Sequence, residues 1–348
     1  MRILLTLLLA VLPISIASAE SLPLANLGQF NNYSKVRYSS TWGYTAPDGR
    51  EYALLGAETG LSIIDITDAP GLVEVAYIPT PIRSGWTEIK TYKNYAYVVK
   101  DNAPVGVQII DLSGLPTSAK LVNTIKDYPN NHTIQIEEAR ALMFTVGGDN
   151  MGVTIWSLQD PVTPKQIGTF NGSTYVHDMF VRGNRAYLAE IFSKSFSIYD
   201  ITNPAAPTLI SRTRDELAPY VSFHNMSLTD DGKYLLTTEE ANGRPVRIWD
   251  ISDEKSPKEV SKYIGEGNLP HNVHVKGNYA HIAHYGGGYR VVDIRDPLKP
   301  IEVAHFNNKS PAPTGFKGVW EVYPYFPSGK VIMSSMEDGL FVTHFAGQ

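Results

Sequence analysis

Short runs of alternating apolar and polar residues, separated by turn residues, fill most of the chain. The stretch Tyr175–Arg212 shows the pattern most clearly, because apolar positions alternate along His177–Val181 and return along Ala186–Glu190. The Gly183-Asn184 pair between these runs suits a two-residue hairpin turn, in which positive φ is needed. Two further runs follow after turn residues, so the stretch predicts a meander of four short strands.

The third strand of this meander recurs seven times along the chain. The copies end at Asp65, Asp111, Ser157, Asp200, Asp250, Asp293 and His344, which is a repeat of about 45 residues. Four strands in a repeat of this length are typical of a β-propeller, and no copy shows the 3.6-residue apolar period of a helical repeat. We interpret the aspartates at the strand ends as turn residues. The sequence therefore predicts an all-β fold, a seven-bladed β-propeller.

The two ends of the chain are expected to close the ring. The seventh repeat has no fourth strand of its own, because the chain stops soon after Phe345. Leu27–Phe30 matches Ile167–Phe170, which is the fourth strand of the third repeat, so the N-terminal segment should supply the missing outer strand of the last blade. This pairing removes an exposed sheet edge. Because no linker separates the repeats, residues 20–348 are predicted to form a single domain.

Residues 1–19 have the features of a secretory signal peptide. Arg2 precedes an apolar run, and Ala17-Ser18-Ala19 forms a cleavage signal before Glu20. We therefore expect a secreted protein, periplasmic or extracellular. The apolar run is shorter than the ~20 residues of a membrane span, and no later segment qualifies. The chain has no Cys, which excludes disulfides, and its formal charge of −5 without a basic block argues against a nucleic-acid partner.

The third-strand motifs also carry a resemblance to a known family. Leu61–Ile66 and Tyr289–Ile294 resemble the LVIVD repeat of extracytoplasmic bacterial propellers. A fuller set is similar to the choice-of-anchor B family, and it consists of Ser84–Tyr92, His177-Asp178, His271–Tyr279 and Trp320–Gly329. The resemblance covers nearly all of residues 33–345 and implies a secreted propeller of largely unassigned role. Members often carry a C-terminal sorting tail that is not found here, so we expect a soluble, released or periplasmic monomer.

One position of the repeat carries histidine in four consecutive blades. The equivalent residues are Thr87, His132, His177, His224, His271 and Trp320, at the start of the innermost strands. These starts should face the central channel at one mouth, where converging neutral imidazoles suit Zn²⁺ or Cu²⁺. The sequence thus predicts a divalent-metal site. Its predicted residues are His132, His177, His224 and His271, with Asp178, Glu88 and Glu321, which each follow this position, as nearby carboxylates.

A second set of polar residues is expected at the same mouth, in the loop after the second strand of each blade. Its members are Glu58, Asp101, Asp149, Glu190, Glu239, His284 and Glu337. Carboxylates there could orient imidazole N–H groups or bind the metal directly. The other histidines lie outside the ring position, and we interpret them as strand or surface residues. They are His274, His281, His305 and His344.

Several interpretations of the histidine position are open at the level of sequence. The imidazoles could bind a metal, form a hydrated structural ring, or contact an organic ligand without metal. A binding or interaction module would use the channel face as a platform for a small molecule or a protein. A metal-dependent enzyme with zinc or copper would use Glu88 and Glu321 for acid–base chemistry. Propellers host both functions, and the absence of phosphate-loop, serine-hydrolase and His-Glu-x-x-His motifs favours the binding module.

Overall fold

The protein forms seven four-stranded antiparallel sheets arranged as the blades of a propeller. The computed structural model describes residues 22–172, 174–218, 220, 222–267, 269–307 and 314–347. Within these ranges each innermost strand contacts the innermost strands of the next blades, and the last blade contacts the first. The predicted all-β, seven-bladed architecture is confirmed. The predicted signal peptide, residues 1–19, lies outside the described residues.

The first strand of the chain belongs to the last blade, and the strands of blades 1 to 3 follow it. Strand β1 is Leu24–Phe30. Blade 1 consists of β2 (Tyr38–Thr45), β3 (Glu51–Ala57), β4 (Gly60–Asp65) and β5 (Val73–Pro79). Blade 2 consists of β6 (Thr87–Tyr92), β7 (Tyr95–Lys100), β8 (Val107–Asp111) and β9 (Lys120–Ile125). Blade 3 consists of β10 (Thr133–Glu137), β11 (Leu142–Val146), β12 (Val153–Ser157) and β13 (Lys165–Phe170).

Blades 4 to 7 continue in the same order from the innermost to the outermost strand. Blade 4 consists of β14 (Asp178–Arg182), β15 (Arg185–Glu190), β16 (Ser195–Asp200) and β17 (Thr208–Arg214). Blade 5 consists of β18 (Met226–Leu228), β19 (Tyr234–Thr237), β20 (Val246–Asp250) and β21 (Lys258–Tyr263). Blade 6 consists of β22 (Val273–Lys276), β23 (Tyr279–Ala283), β24 (Tyr289–Asp293) and β25 (Ile301–Phe306). Blade 7 consists of β26 (Val319–Tyr323), β27 (Lys330–Ser335), β28 (Gly339–Phe345) and β1.

Helical structure among these residues is confined to single turns in the connections. The three 3₁₀ turns are Glu138–Arg140, Gly148–Asn150 and Ile191–Ser193. None of the helices in the described residues has the length and apolar character that a membrane span requires.

Strand β1 closes the ring at the seam of the last blade. It pairs antiparallel with β28 from Leu24 opposite Phe345 to Phe30 opposite Leu340, with a bulge between Asn26 and Gly28. The predicted closure by the N-terminal segment is therefore confirmed. The pairing satisfies the outer edge of β28, which would otherwise present a row of free backbone groups.

The turns follow the chemistry that the sequence indicated. Gly183 adopts a φ of +57° at the hairpin between β14 and β15. At the ends of the third strands, aspartate side chains accept hydrogen bonds from the backbone N–H two residues later, which fixes the start of each turn. These bonds join Asp65 to Thr67, Asp111 to Ser113, Asp200 to Thr202, Asp250 to Ser252 and Asp293 to Arg295, at 2.7–2.9 Å. The aspartates are thus structural.

The hydrophobic core lies between blades. Phe144 and Val146 of blade 3, for example, belong to one buried cluster with Met179 and Leu188 of blade 4. Six further clusters each join one pair of neighbouring blades around the ring. Because every blade buries both of its faces in this way, the ring positions the starts of its innermost strands rigidly around the channel.

Candidate metal centre at the channel mouth

The four predicted histidines lie side by side at one mouth of the channel. The ring centroids are 4.2 Å apart for His132 and His177, 4.2 Å for His177 and His224, and 4.5 Å for His224 and His271. Trp320 of blade 7 continues the arc, with its ring 4.4 Å from that of His271. The shared repeat position therefore brings residues some 45 positions apart in the sequence into direct contact. We call these four imidazoles the histidine arc.

Hydrogen bonds set the orientation of the imidazoles in the histidine arc. The Nδ1 atom of His177 lies 3.1 Å from the backbone oxygen of His224, and Nδ1 of His224 lies 3.0 Å from that of His271. His271 Nδ1 is 2.5 Å from the oxygen of Trp320. A carbonyl oxygen can only accept, so each of these Nδ1 atoms carries the hydrogen. In a neutral ring, Nε2 then presents a lone pair.

Burial keeps the imidazoles of His177, His224 and His271 in the neutral form. Desolvation, reinforced by the neighbouring imidazoles, lowers the pKa of His177 well below its ordinary value. Burial likewise lowers the pKa of His224 to about 3 and that of His271 to about 4. A neutral imidazole with a free Nε2 lone pair is the form that binds a transition metal.

The carboxylate that faces these lone pairs is Glu240. Its Oε2 atom is 3.4 Å from Nε2 of His224, and its Oε1 atom is 3.7 Å from Nε2 of His271. The hydroxyl of Tyr285 donates to Oε1 at 2.5 Å and holds the carboxylate in place. One ligand atom from each of His177, His224 and Glu240 can be chosen so that all three lie within 4.8 Å of one another. These three residues could hold a metal ion.

Sequence reasoning missed Glu240 by one position. The predicted loop acid of blade 5 was Glu239, but that side chain forms ion pairs with Arg244 and Arg247 inside the blade. The two consecutive glutamates after β19 could have indicated this arrangement, because one carboxylate, Glu239, turns into the blade and the next, Glu240, reaches the channel. In the rest of the second set, Asp101 contacts the arc, with Oδ2 2.9 Å from Nδ1 of His132. Glu190, by contrast, pairs with Arg212 of its own blade.

The predicted carboxylates Glu88, Asp178 and Glu321 lie one residue further along the innermost strands, and they form hydrogen bonds with neighbouring side chains rather than with imidazoles of the arc. Ser40 donates to Glu88 at 3.2 Å, and Asn225 donates to Asp178 at 2.7 Å. Glu321 accepts from the Asn272 amide at 2.7 Å and lies 2.9 Å from Nε2 of His274. We call Glu88, Asp178 and Glu321 the carboxylate tier.

The members of the carboxylate tier differ in their proton affinity. Burial raises the pKa of Glu88 to about 7, although the charge of Lys90 opposes the shift. Burial also raises the pKa of Asp178, in spite of its hydrogen bond from Asn225. For Glu321, burial is outweighed by the charge and hydrogen bond of His274, and the pKa lies below its ordinary value.

His274, which we interpreted as a strand or surface residue, lies in the innermost strand β22 with Nε2 2.9 Å from Glu321. It follows Asn272, the residue just before β22, by two positions, as Lys90 follows Glu88 on β6. Since alternate residues of a strand share a face, this spacing is a usable signal. His281 is buried in β23, with Nδ1 2.6 Å from the Tyr289 hydroxyl, and His305 and His344 are exposed, as expected for strand and surface residues.

Two spaces share the histidine arc as part of their lining. The inner cavity has a volume of about 20 Å³, enough for one water-sized guest. Its lining is Trp86, Thr87, Glu88, His132, Thr133, His177, Asp178, His224, His271, Asn272 and Trp320. The outer space, which we call the vestibule, has a volume of about 220 Å³. Its lining is Trp86, His132, His177, His224, Glu240, His271, Tyr285, Phe316, Trp320 and Met336. The arc is therefore accessible from a partly apolar pocket.

Comparison with known sequences identifies the repeat unit. The LVIVD repeat matches residues 87–126, 173–215 and 270–308. These ranges coincide with blades 2, 4 and 6, so one repeat corresponds to one blade. No curated protein matches the chain. The chain is thus a seven-bladed β-propeller that contains LVIVD repeats in three of its blades.

Proposed function

We propose that this protein is an extracytoplasmic binding module that holds one divalent transition metal, Zn²⁺ or Cu²⁺, at the channel mouth. The metal ligands are His177, His224 and Glu240, with His271 as a fourth candidate. The channel face, with its bound metal, contacts a small molecule or a protein, and the propeller acts as a monomer.

The single observation that carries the proposal is the meeting of lone pairs at Glu240. The Nδ1 hydrogens of His224 and His271 point to backbone oxygens, so their Nε2 lone pairs face the Glu240 carboxylate at 3.4 and 3.7 Å. Two electron-rich groups at this distance repel each other in a buried site unless a proton or a metal ion lies between them. A metal ion meets this requirement and uses ligand types that zinc and copper prefer.

The spacing of the ligand atoms is compatible with a small adjustment on binding. Ligand atoms around tetrahedral Zn²⁺ lie about 3.3 Å apart, as follows from bond lengths of 2.0–2.2 Å. The atoms of His177, His224 and Glu240 lie within 4.8 Å of one another, so shifts on the order of 1 Å would close the site. The Nδ1–carbonyl bonds would hold the imidazoles in orientation, as the outer contacts of metal-bound histidines do.

The proposed extracytoplasmic location is supported by the N-terminal sequence and by the family resemblance. Residues 1–19 have the pattern of a secretory signal peptide, and the motifs from Ser84 to Gly329 resemble those of the choice-of-anchor B family of secreted propellers. Mass spectrometry of protein from native cells tests this part, because a processed chain should begin at Glu20. Recovery of a chain that retains residues 1–19 would contradict it.

Elemental analysis tests the metal site. Protein purified without a His-tag, incubated with Zn²⁺ and desalted, should retain about one equivalent, and the His177→Ala/His224→Ala double variant should retain less than about a tenth of an equivalent. The matched control is His305→Ala/His344→Ala, which removes two exposed histidines outside the arc and should retain full zinc. Zinc retention below a tenth of an equivalent in the native sequence, or equal retention in both double variants, would contradict the proposal.

A second candidate function is a metal-dependent enzyme at the same mouth. It is favoured by the position of Glu88 and Asp178, which line the inner cavity together with His177 and His224. A carboxylate beside a metal-bound water could act as a general base. Zinc-loaded protein with hydrolytic activity that Glu88→Gln abolishes, at unchanged zinc content, would favour the enzyme. The absence of turnover with a panel of ester and phosphoester substrates would favour the binding module.

A further inference from the structure

The vestibule above the histidine arc combines an aromatic wall with the proposed metal ligands. The same side chains of His177, His224 and Glu240 that could hold the metal also line this space of about 220 Å³. We propose that the vestibule binds a single-ring aromatic molecule with two adjacent hydroxyl groups, a catechol, whose ring lies against Trp320 and Phe316 and whose oxygens bind the metal. This inference rests on the proposed metal site.

The aromatic wall is rigid and already formed. Trp320, Tyr285 and Met336 belong to one buried cluster behind the vestibule. The rings of Tyr285 and Trp320 meet edge to face at 6.1 Å, and those of Trp86 and Trp320 lie 5.8 Å apart. Flat aromatic ligands pack well against such surfaces, because ring pairs gain from offset and edge-to-face contacts beyond their buried area.

Phe316 provides an apolar side chain that a ligand could cover. Its ring packs edge to face on Tyr285 at 5.5 Å, yet 57% of its surface is exposed at the opening of the vestibule. A ligand ring between Phe316 and Trp320 would remove this apolar surface from water. A cavity of about 150 Å³ is known to hold benzene, so the vestibule has room for one ring with two small substituents.

The charges around the vestibule favour an oxygen donor over an organic cation. An aromatic box beside a carboxylate could in principle bind a quaternary ammonium group. Here, however, the guanidinium of Arg37 already lies 5.0 Å from the centre of the Trp86 ring, so a face of this ring is not free for an organic cation. Three protein ligands leave the fourth position of zinc open, and zinc can become five-coordinate, so two adjacent phenolic oxygens can bind as a chelate while His271 stays outside the coordination sphere. Each hydroxyl proton that the metal displaces passes to the buffer.

Calorimetric titration with 4-nitrocatechol tests this inference. Zinc is the metal of choice because it has no redox chemistry with catechols. Zinc-loaded protein should bind one equivalent of 4-nitrocatechol at least about tenfold more tightly than metal-free protein. It should not measurably bind 4-nitroveratrole, which has the same ring with both hydroxyls methylated. Phe316→Ala should weaken binding of 4-nitrocatechol by about tenfold at unchanged zinc content, since it removes one face of the ring contact.

The matched control is Phe192→Ala. Phe192 is another exposed phenylalanine, it packs against Tyr175, and it does not line the vestibule. This variant should bind 4-nitrocatechol like the native sequence. Zinc content measured on every sample separates the two proposals. Full zinc without binding of 4-nitrocatechol, equal binding with and without zinc, or equal loss in Phe316→Ala and Phe192→Ala would overturn the catechol site and leave the metal site standing. Failure to retain zinc would overturn the metal site itself.

Discussion

Imidazoles help to join neighbouring blades in one half of the ring, where they add to charged contacts such as the hydrogen bond from Arg182 of blade 4 to the backbone oxygen of Thr229 in blade 5. In blades 4 to 6, imidazoles donate from Nδ1 to a backbone oxygen of the next blade, as His177 and His224 do at 3.1 and 3.0 Å. In blades 7, 1 and 2, charged side chains make the joints. Lys330 Nζ of blade 7 donates to Glu51 of blade 1 at 3.0 Å, and Lys100 Nζ of blade 2 donates to the backbone oxygen of Ala57 in blade 1 at 3.1 Å.

This difference separates the closure of the ring from the proposed metal binding. An imidazole has two nitrogens, so one can join the blades while the other faces the channel. In blade 2 the equivalent residue is Thr87, whose hydroxyl oxygen accepts from Lys100 at 2.7 Å and offers no comparable metal ligand. We therefore expect substitutions at the joints of blades 7, 1 and 2 to lower the free energy of unfolding without changing the amount of metal that the protein retains. Substitutions in the histidine arc should reduce metal retention and leave the free energy of unfolding nearly unchanged.

The largest effect on stability is expected from removal of β1. Deletion of residues 22–30 exposes the edge of β28 and removes Leu24, Leu27 and Phe30 from the clusters of blade 7. The lost apolar contacts should lower the free energy of unfolding by at least about 5 kcal/mol. The melting temperature, followed by circular dichroism, should fall by about 10 °C or more.

A peptide added in trans provides the control for this deletion. Synthetic residues 22–30 should raise the melting temperature of the truncated protein, because a free strand can pair with the exposed edge of β28. A scrambled peptide of the same composition should not. If the truncated protein melts like the full chain, the seam does not limit the stability of the ring.

A smaller effect is expected from acid, through a buried imidazole on the histidine side of the ring. Burial lowers the pKa of His281 in the folded protein to about 3, whereas an unfolded histidine has a pKa of about 6.5. Between these values the unfolded state binds one more proton. The contribution of neutral His281 to the free energy of unfolding is therefore fully present above pH 6.5 and is lost as the pH falls towards 3. At pH 5 the loss from this one residue is about 2 kcal/mol.

Urea unfolding between pH 7 and pH 4.5 measures this loss. His281→Gln should remove about 1.4 kcal/mol per pH unit from the slope of unfolding free energy against pH. His305→Gln changes an exposed histidine and should leave the slope as it is. Equal slopes in the native sequence and His281→Gln would show that His281 does not titrate differently on unfolding.

The repeat explains why the fold and the histidine arc could be predicted from sequence. Strands with copied turn residues must form copied blades, and residues such as His177 and His224 meet because the ring closes. The sequence could not show that Glu240 rather than Glu239 faces the channel, because the two side chains are chemically identical and the loop after β19 has no regular repeat. The bonds from Nδ1 to backbone oxygens were equally hidden, since they depend on side-chain rotamers that a repeat pattern does not specify. His274 was predictable in principle from the alternation along β22.

The sharpest test of the comparison combines the smallest effect on stability with the largest effect on metal. His224→Phe keeps an aromatic ring in the arc but removes both nitrogens. The backbone oxygen of His271 keeps a donor, because Thr238 Oγ1 lies 2.5 Å from it. The free energy of unfolding of the metal-free protein should therefore fall by only about 1 kcal/mol, the usual worth of one hydrogen bond. Zinc retention should nevertheless fall below about a tenth of an equivalent, because one of three ligands is gone.

Glu51→Ala is the matching variant at the seam between blades 7 and 1. It removes a buried carboxylate and leaves the half-buried Lys330 and the Ser328 hydroxyl without their acceptor, so it should cost about 3 kcal/mol and retain full zinc. If His224→Phe destabilises the protein as much as Glu51→Ala and both retain zinc, the histidine arc is a structural joint and the division between the two halves is wrong.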